Sequence, residues 1–107
     1  MNPSYHILVS LGDGPKHGYA IMRDVATRTE GEIEILPGTL YSTIKRLIAE
    51  RAIEECPAPD EQEGGFSDER RRYYRLTAIG RAAVLEETDR MAMLIRLARK
   101  KGFATSR

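Results

Sequence analysis

The sequence predicts a mainly α fold that carries one small β-hairpin and ends in a long helix. Three observations predict it. Apolar residues recur at helical spacing in several separate stretches. Two short alternating segments flank a polar tip holding Pro57, Pro59, Gly64 and Gly65. Beyond Thr77, helical spacing persists to about Lys101. The order is helix, helix, short strand, helix, hairpin, long helix, which is the order of a winged helix-turn-helix. At 107 residues the chain is one domain with an appendage, divided here as 1–77 for the winged part and 78–107 for the last helix and tail.

Each element follows from local signals. Asn2 and Pro3 start a short amphipathic helix through Tyr5, Ile7, Leu8 and Leu11, and Gly12-Asp13-Gly14-Pro15 turns the chain. After His17-Gly18-Tyr19, a second helix carries Ile21, Met22, Val25 and Ala26 inward, with Gly31 as its left-handed stop. Glu32-Ile33-Glu34-Ile35 alternates and reads as a very short strand. Ile53-Glu54-Glu55-Cys56 and Arg71-Arg72-Tyr73-Tyr74-Arg75-Leu76 form the hairpin arms. By alternation, Tyr74 and Leu76 face the helices and Tyr73 the other side. Thr77 caps the last helix, Lys100 and Lys101 suit its C-terminal dipole, and Gly102 stops it.

The stretch Pro37 to Glu50 organises the rest. Pro37 starts a helix, since a missing N–H costs nothing in the first turn. Leu40, Ile44, Leu47 and Ile48 share one face, while Thr39, Ser42, Lys45, Arg46 and Ala49 share the other. No carboxylate interrupts this second face. It suits close approach to a polyanion, and its bland alternative is an ordinary solvated surface.

Net charge is only +1, so no global basic signature points to nucleic acid. The charge is segregated instead. Eight of the sixteen acids lie between Glu50 and Glu69, directly before Arg70, Arg71, Arg72 and Arg75. A single cysteine, Cys56, excludes an intrachain disulfide and favours a reducing interior; with no membrane-length apolar run and no signal pattern, a cytoplasmic location is expected. His6 and His17 have no ligand set around them in the sequence, so neither a metal, a cofactor nor a catalytic constellation is expected. His17 reads as a local hydrogen-bonding residue at a helix start, and Cys56 as an inert thiol in preference to a redox sensor.

The ordered set His17-Gly18-Tyr19, Pro37-Gly38-Thr39-Leu40-Tyr41, Lys45-Arg46-Leu47, Arg72-Tyr73-Tyr74-Arg75-Leu76-Thr77 and Gly80 resembles the PadR family of bacterial transcriptional regulators over roughly residues 3 to 100. The resemblance implies a dimeric winged helix-turn-helix repressor that docks the 38–50 helix in the major groove and builds its dimer from the last helix with the first. The short C-terminal region is similar to the family's compact branch. Two departures stand out: Arg51 occupies a position where the family often has Gly, and Ser42 one where Pro is common.

On this reading Gly38, Thr39, Tyr41, Ser42, Lys45 and Arg46 contact the groove and phosphates, and Arg70, Arg71, Arg72 and Tyr73 serve the wing. The arginines have a competing role, neutralising Glu54, Glu55, Asp68 and Glu69. The last helix offers more apolar residues than so small a domain can cover. Met91, Leu94, Ile95 and Ala98 are the expected homodimer contacts. A two-fold dimer reads an inverted-repeat operator in double-stranded DNA. A small-molecule effector of unidentified chemistry is the regulatory device such proteins usually have. The alternative is a winged-helix module that binds another protein without touching DNA, which the acidic hairpin and low net charge favour.

Overall fold

The structure, a computed structural model, describes residues 2–59 and 72–104. Helix α1 (Pro3–Ser10) begins where Asn2 Oδ1 accepts from the Ser4 amide at 2.9 Å, and it passes into a 3₁₀ turn over Leu11–Asp13. Lys16 Nζ donates to the Ser10 carbonyl and to Asp13 Oδ1, tying the end of α1 to strand β1 (Lys16–His17). The same ammonium holds the Asp13 carboxyl below its ordinary range. Helix α2 (Gly18–Arg28) is capped by His17, whose Nδ1 accepts from the Ala20 amide at 3.1 Å. The remaining elements are α3 (Pro37–Ala49), β2 (Ile53–Cys56), β3 (Tyr73–Leu76) and α4 (Ala78–Lys100).

The strands form one antiparallel sheet in the order β1-β3-β2. Ile53 pairs with Leu76 and Cys56 with Tyr73 on one side of β3, while His17 pairs with Tyr73 on the other. The hairpin of the sequence reading is therefore the inner part of a three-stranded sheet. The third strand is not at Glu32–Ile35, where alternation placed one. That segment has no ladder partner; it is held by Thr29, whose Oγ1 accepts from the Ile33 amide at 3.0 Å, and by burial of Ile35. Lys16–His17 supplies the strand instead.

Ile7, Leu8 and Leu11 from the first helical segment, Ile21 and Val25 from α2, Leu40, Ile44 and Leu47 from α3, and Ile53 and Tyr74 from the sheet make one core. Truncating a fully buried residue such as Leu40 to Ala costs about 2–5 kcal/mol.

Three helices end in the same Schellman arrangement. The amides of Gly31, Ala52 and Phe103 donate back to Ala26, Leu47 and Ala98 at 2.8, 2.9 and 2.9 Å. The residue that must turn left-handed precedes each of these. It is Glu30 (φ 53°), Arg51 (φ 62°) and Gly102 (φ 99°). The stop of α2 therefore begins one residue before Gly31, and the family departure at Arg51 falls on a strained position.

The end of α3 is fastened to the start of α4. Thr77 Oγ1 donates to the Arg51 carbonyl at 2.5 Å and accepts from the Gly80 amide at 3.0 Å, while the Thr77 amide donates to the Ala52 carbonyl at 3.1 Å. A Cβ on Gly80 would stand 2.0 Å from the Ala52 oxygen, so glycine alone lets the helix approach this closely. From this joint α4 runs about 34 Å, giving the molecule a longest dimension of 52 Å.

Candidate nucleic-acid interface

The buried arc of α3 comprises Leu40, Thr43, Ile44 and Leu47. Ile48, expected on that face, is 38% exposed. At 100° per residue the covered arc centres close to Leu40, which leaves Ile48 about 80° round at its edge and brings Thr43 inside. Opposite this arc, Gly38, Thr39, Ser42, Lys45, Arg46 and Ala49 are all exposed.

No side chain caps the start of α3, where Leu36 is the capping residue, so the Gly38 and Thr39 amides lack intrahelical partners. Ser42 Oγ donates to the Thr39 carbonyl at 3.1 Å. Among the described residues Lys45 has no ion pair. Arg46 is engaged: its guanidinium donates to Ser4 Oγ on α1 and lies 4.0 Å from Glu50 Oε2. Ser4 was not legible as part of this surface, because the contact spans 42 residues and leaves no local signal.

Tyr41 is half exposed, and its ring lies across the start of α2. A Cβ on Gly18 would meet Tyr41 Oη at 2.6 Å and Cζ at 2.9 Å. The Gly of His17-Gly18-Tyr19 is thus a seat for the α3 tyrosine. Beside it, Arg23 stacks over the exposed Tyr19 ring at 5.7 Å. This cation on α2 was overlooked, although its spacing of four from Tyr19 puts both on one helical face.

At the wing, Arg72 Nη1 lies 3.2 Å from Glu55 Oε1 and Oε2, and Arg75 Nε lies 2.7 Å from Glu54 Oε2. The neutralising role weighed against phosphate contact is present for Arg72. Arg70 and Arg71 lie outside the described residues. Tyr73, expected on the outer side, is buried. β1 pairs there, and the His17 ring packs edge-on against Tyr73 at 5.2 Å, so both flanks of the central strand are covered. Cys56, opposite Tyr73, is buried too, and burial pushes its thiol up, away from the reactive thiolate.

Helix α4 contrasts with α3 in burying only Gly80. Leu94 and Ile95 are exposed, at 64% and 49%, with Leu85, Met93 and Leu97 beside them; Met91 and Ala98 are half-buried. Between α4 and α1 lies an apolar groove of about 410 Å³ lined by Tyr5, Leu8, Val9, Val84, Leu85 and Thr88. It is bridged where Tyr5 Oη and Thr88 Oγ1 meet at 2.9 Å. Among the described residues no helix is long and apolar enough to cross a membrane.

A mainly helical body with a three-stranded wing, a polar exposed helix and a long apolar tail defines a winged-helix protein. Residues 7–86 match the model of the transcriptional regulator PadR-like family, and the chain belongs to that family. Over 80 residues it is 34% identical to an uncharacterized protein X of Lysinibacillus sphaericus, an alignment covering 75% of this chain and 69% of that one. A transcriptional regulator from Clostridium thermocellum superposes with a TM-score of 0.76 at 24% identity, over 95% of this chain and 89% of that one. PadR of Bacillus subtilis, solved with operator DNA, superposes with a TM-score of 0.66 at 20% identity over 80% of this chain, which spans 46% of that protein. These structural likenesses establish the fold.

Proposed function

We propose that the protein is a homodimeric repressor that binds an inverted-repeat operator through α3 and the wing and is released by a small-molecule ligand. One observation carries the reading: the exposed face of α3 bears Thr39, Ser42, Lys45 and Arg46 with no carboxylate among them until Glu50. Family membership and the operator complex of Bacillus subtilis PadR support it.

The mechanism is placement of charge and hydrogen-bond donors. The uncapped amides of Gly38 and Thr39 meet a phosphate at the positive end of the α3 dipole. Lys45 and Arg46 reach phosphates or guanine edges, and Arg46 exchanges Ser4 for DNA as it does so. Tyr41, seated on Gly18, directs its hydroxyl toward the backbone of the duplex. Arg70, Arg71 and Arg72 brace the flanking phosphates, with Arg72 leaving Glu55. Tyr73 supports the wing from within. Met91, Leu94, Ile95 and Ala98 join the two copies, and the partner's helix covers the groove between α1 and α4. The pairing sets the recognition helices one DNA turn apart.

The ion pairs of Arg72 and Arg75 favour a second reading, a protein-binding module whose wing carries little free charge. Salt titration of binding to the chain's own promoter region separates the two. Counterion release makes DNA affinity fall steeply with salt, whereas no saturable binding to that DNA at low salt rejects the repressor reading.

A further inference from the structure

Three consecutive residues of α1 reach three different parts of the molecule. Ser4 accepts from Arg46 of α3, Tyr5 bonds Thr88 of α4, and His6 points to α2. Behind them, a cavity of about 230 Å³ opens between α1 and α2, lined by Tyr5, His6, Val9, Asp24, Val25, Arg28 and Thr29. Its polar groups are incompletely matched. His6 Nε2 is buried and makes no hydrogen bond among the described residues. Asp24 Oδ1 accepts from Arg28 Nε at 3.2 Å; Oδ2 lies 3.0 Å from Arg28 Nη2 in an ion pair but accepts no hydrogen bond. His6 Nε2 is thus left without a partner among the described residues, and Asp24 Oδ2, paired with Arg28 by charge, keeps unused acceptor capacity on the wall of the same cavity; a buried donor or acceptor left unmatched is costly unless something completes it.

We propose that this cavity is an effector site for a small neutral ring compound bearing an N–H or O–H donor. The chemistry of the wall sets each part of that class. A carboxylate oxygen accepts only, so the ligand donates to Asp24 Oδ2. Arg28 already balances the Asp24 charge, so a charged ligand would arrive without a counter-ion and be desolvated at a loss. Tyr5, Val9 and Val25 present apolar surface to a ring, and the volume, below the roughly 300–1,000 Å³ of drug-sized sites, fits one substituted ring. His6 Nε2 then pairs with the second polar atom of the same substituent.

The site also has a way to act. A ligand that moves this turn of α1 displaces Ser4 and Tyr5, and thereby the tethers of Arg46 on the recognition helix and of Thr88 on the long helix. Binding that prefers one α1 position shifts the population of DNA-competent protein. This regulatory half rests on the repressor reading; the binding half stands without it.

Benzamide is the probe, with benzoate and benzylammonium as charged comparators, titrated into the full chain and followed by calorimetry and methyl NMR. Benzamide is expected to saturate, to shift the Val25 methyl signals while leaving those of Val84 and Leu85 in place, and to bind about tenfold more tightly than either comparator. His6→Phe and Asp24→Asn are each expected to weaken it about tenfold. No saturation at millimolar benzamide overturns the site, as does a shift map centred on the groove between α1 and α4. Affinity unchanged in both variants overturns it as well. If a variant does not fold, the wild-type shift map alone decides. On operator DNA, saturating benzamide is expected to change affinity severalfold. Cavity binding with unaltered DNA affinity overturns the regulatory half, whereas a protein that binds benzamide but no DNA overturns the repressor reading and leaves the site standing.

Discussion

Helices α3 and α4 are both amphipathic, yet they spend their apolar residues in opposite ways. In α3, Leu40, Ile44 and Leu47 are sealed into the core, and what remains outside is polar and cationic. In α4, only Gly80 is sealed, and Leu85, Met93, Leu94, Ile95 and Leu97 face outward. A helix whose apolar face is already covered can offer water, or a duplex, its polar side. A helix whose apolar face is uncovered calls for another apolar surface. The difference separates the candidate DNA face from the candidate dimer face without reference to any relative.

The contrast can be broken most severely at Leu94. Leu94→Glu gives α4 a polar outer face like that of α3. The expected result is a monomer in sedimentation and a loss of operator affinity of about 10²-fold or more, because the second half-site is no longer tethered. Next comes the joint between the two helices. Gly80→Ala drives a Cβ into the Ala52 carbonyl and is expected to lower stability by about 3 kcal/mol, read as a lower urea midpoint at constant m. On α3 itself, Arg46→Ala is expected to reduce operator affinity about tenfold and to lower the salt slope by about 1, with the dimer intact. Unchanged affinity there would remove Arg46 from the interface. The smallest effect runs in the favourable direction: Arg51→Gly relieves the left-handed backbone at the end of α3 and is expected to add about 1 kcal/mol, or about 4–8 °C in Tm.

Legibility in the sequence followed the range of the interaction. The four helices, their caps at Asn2 and Thr77, and both hairpin strands are written in local periodicity and capping residues. The exposed set Thr39, Ser42, Lys45 and Arg46 was readable for the same reason, since one helical period determines it. What could not be read came from contacts between distant segments. Lys16–His17 becomes a strand only because β3 lies beside it, and two residues carry no period of their own. Tyr73 alternates outward in the two-stranded picture and is buried by the third strand. The glycine motif at Gly18 was visible, but its reason, the Tyr41 ring 23 positions further on, was not.

The sheet order β1-β3-β2 leaves two rims open to solvent. One rim, β1, is two residues long, with Pro15 before it and the first turn of α2 directly after. The other, β2, holds Glu54 and Glu55 at its middle, Glu54 paired with Arg75 of β3 and Glu55 with Arg72 just before that strand. A stray strand seeking backbone partners finds too little length on one side and exposed, ion-paired side chains to desolvate on the other. Copies of this protein therefore have little opportunity to stack into cross-β aggregates through the wing, even while α4 remains bare during assembly.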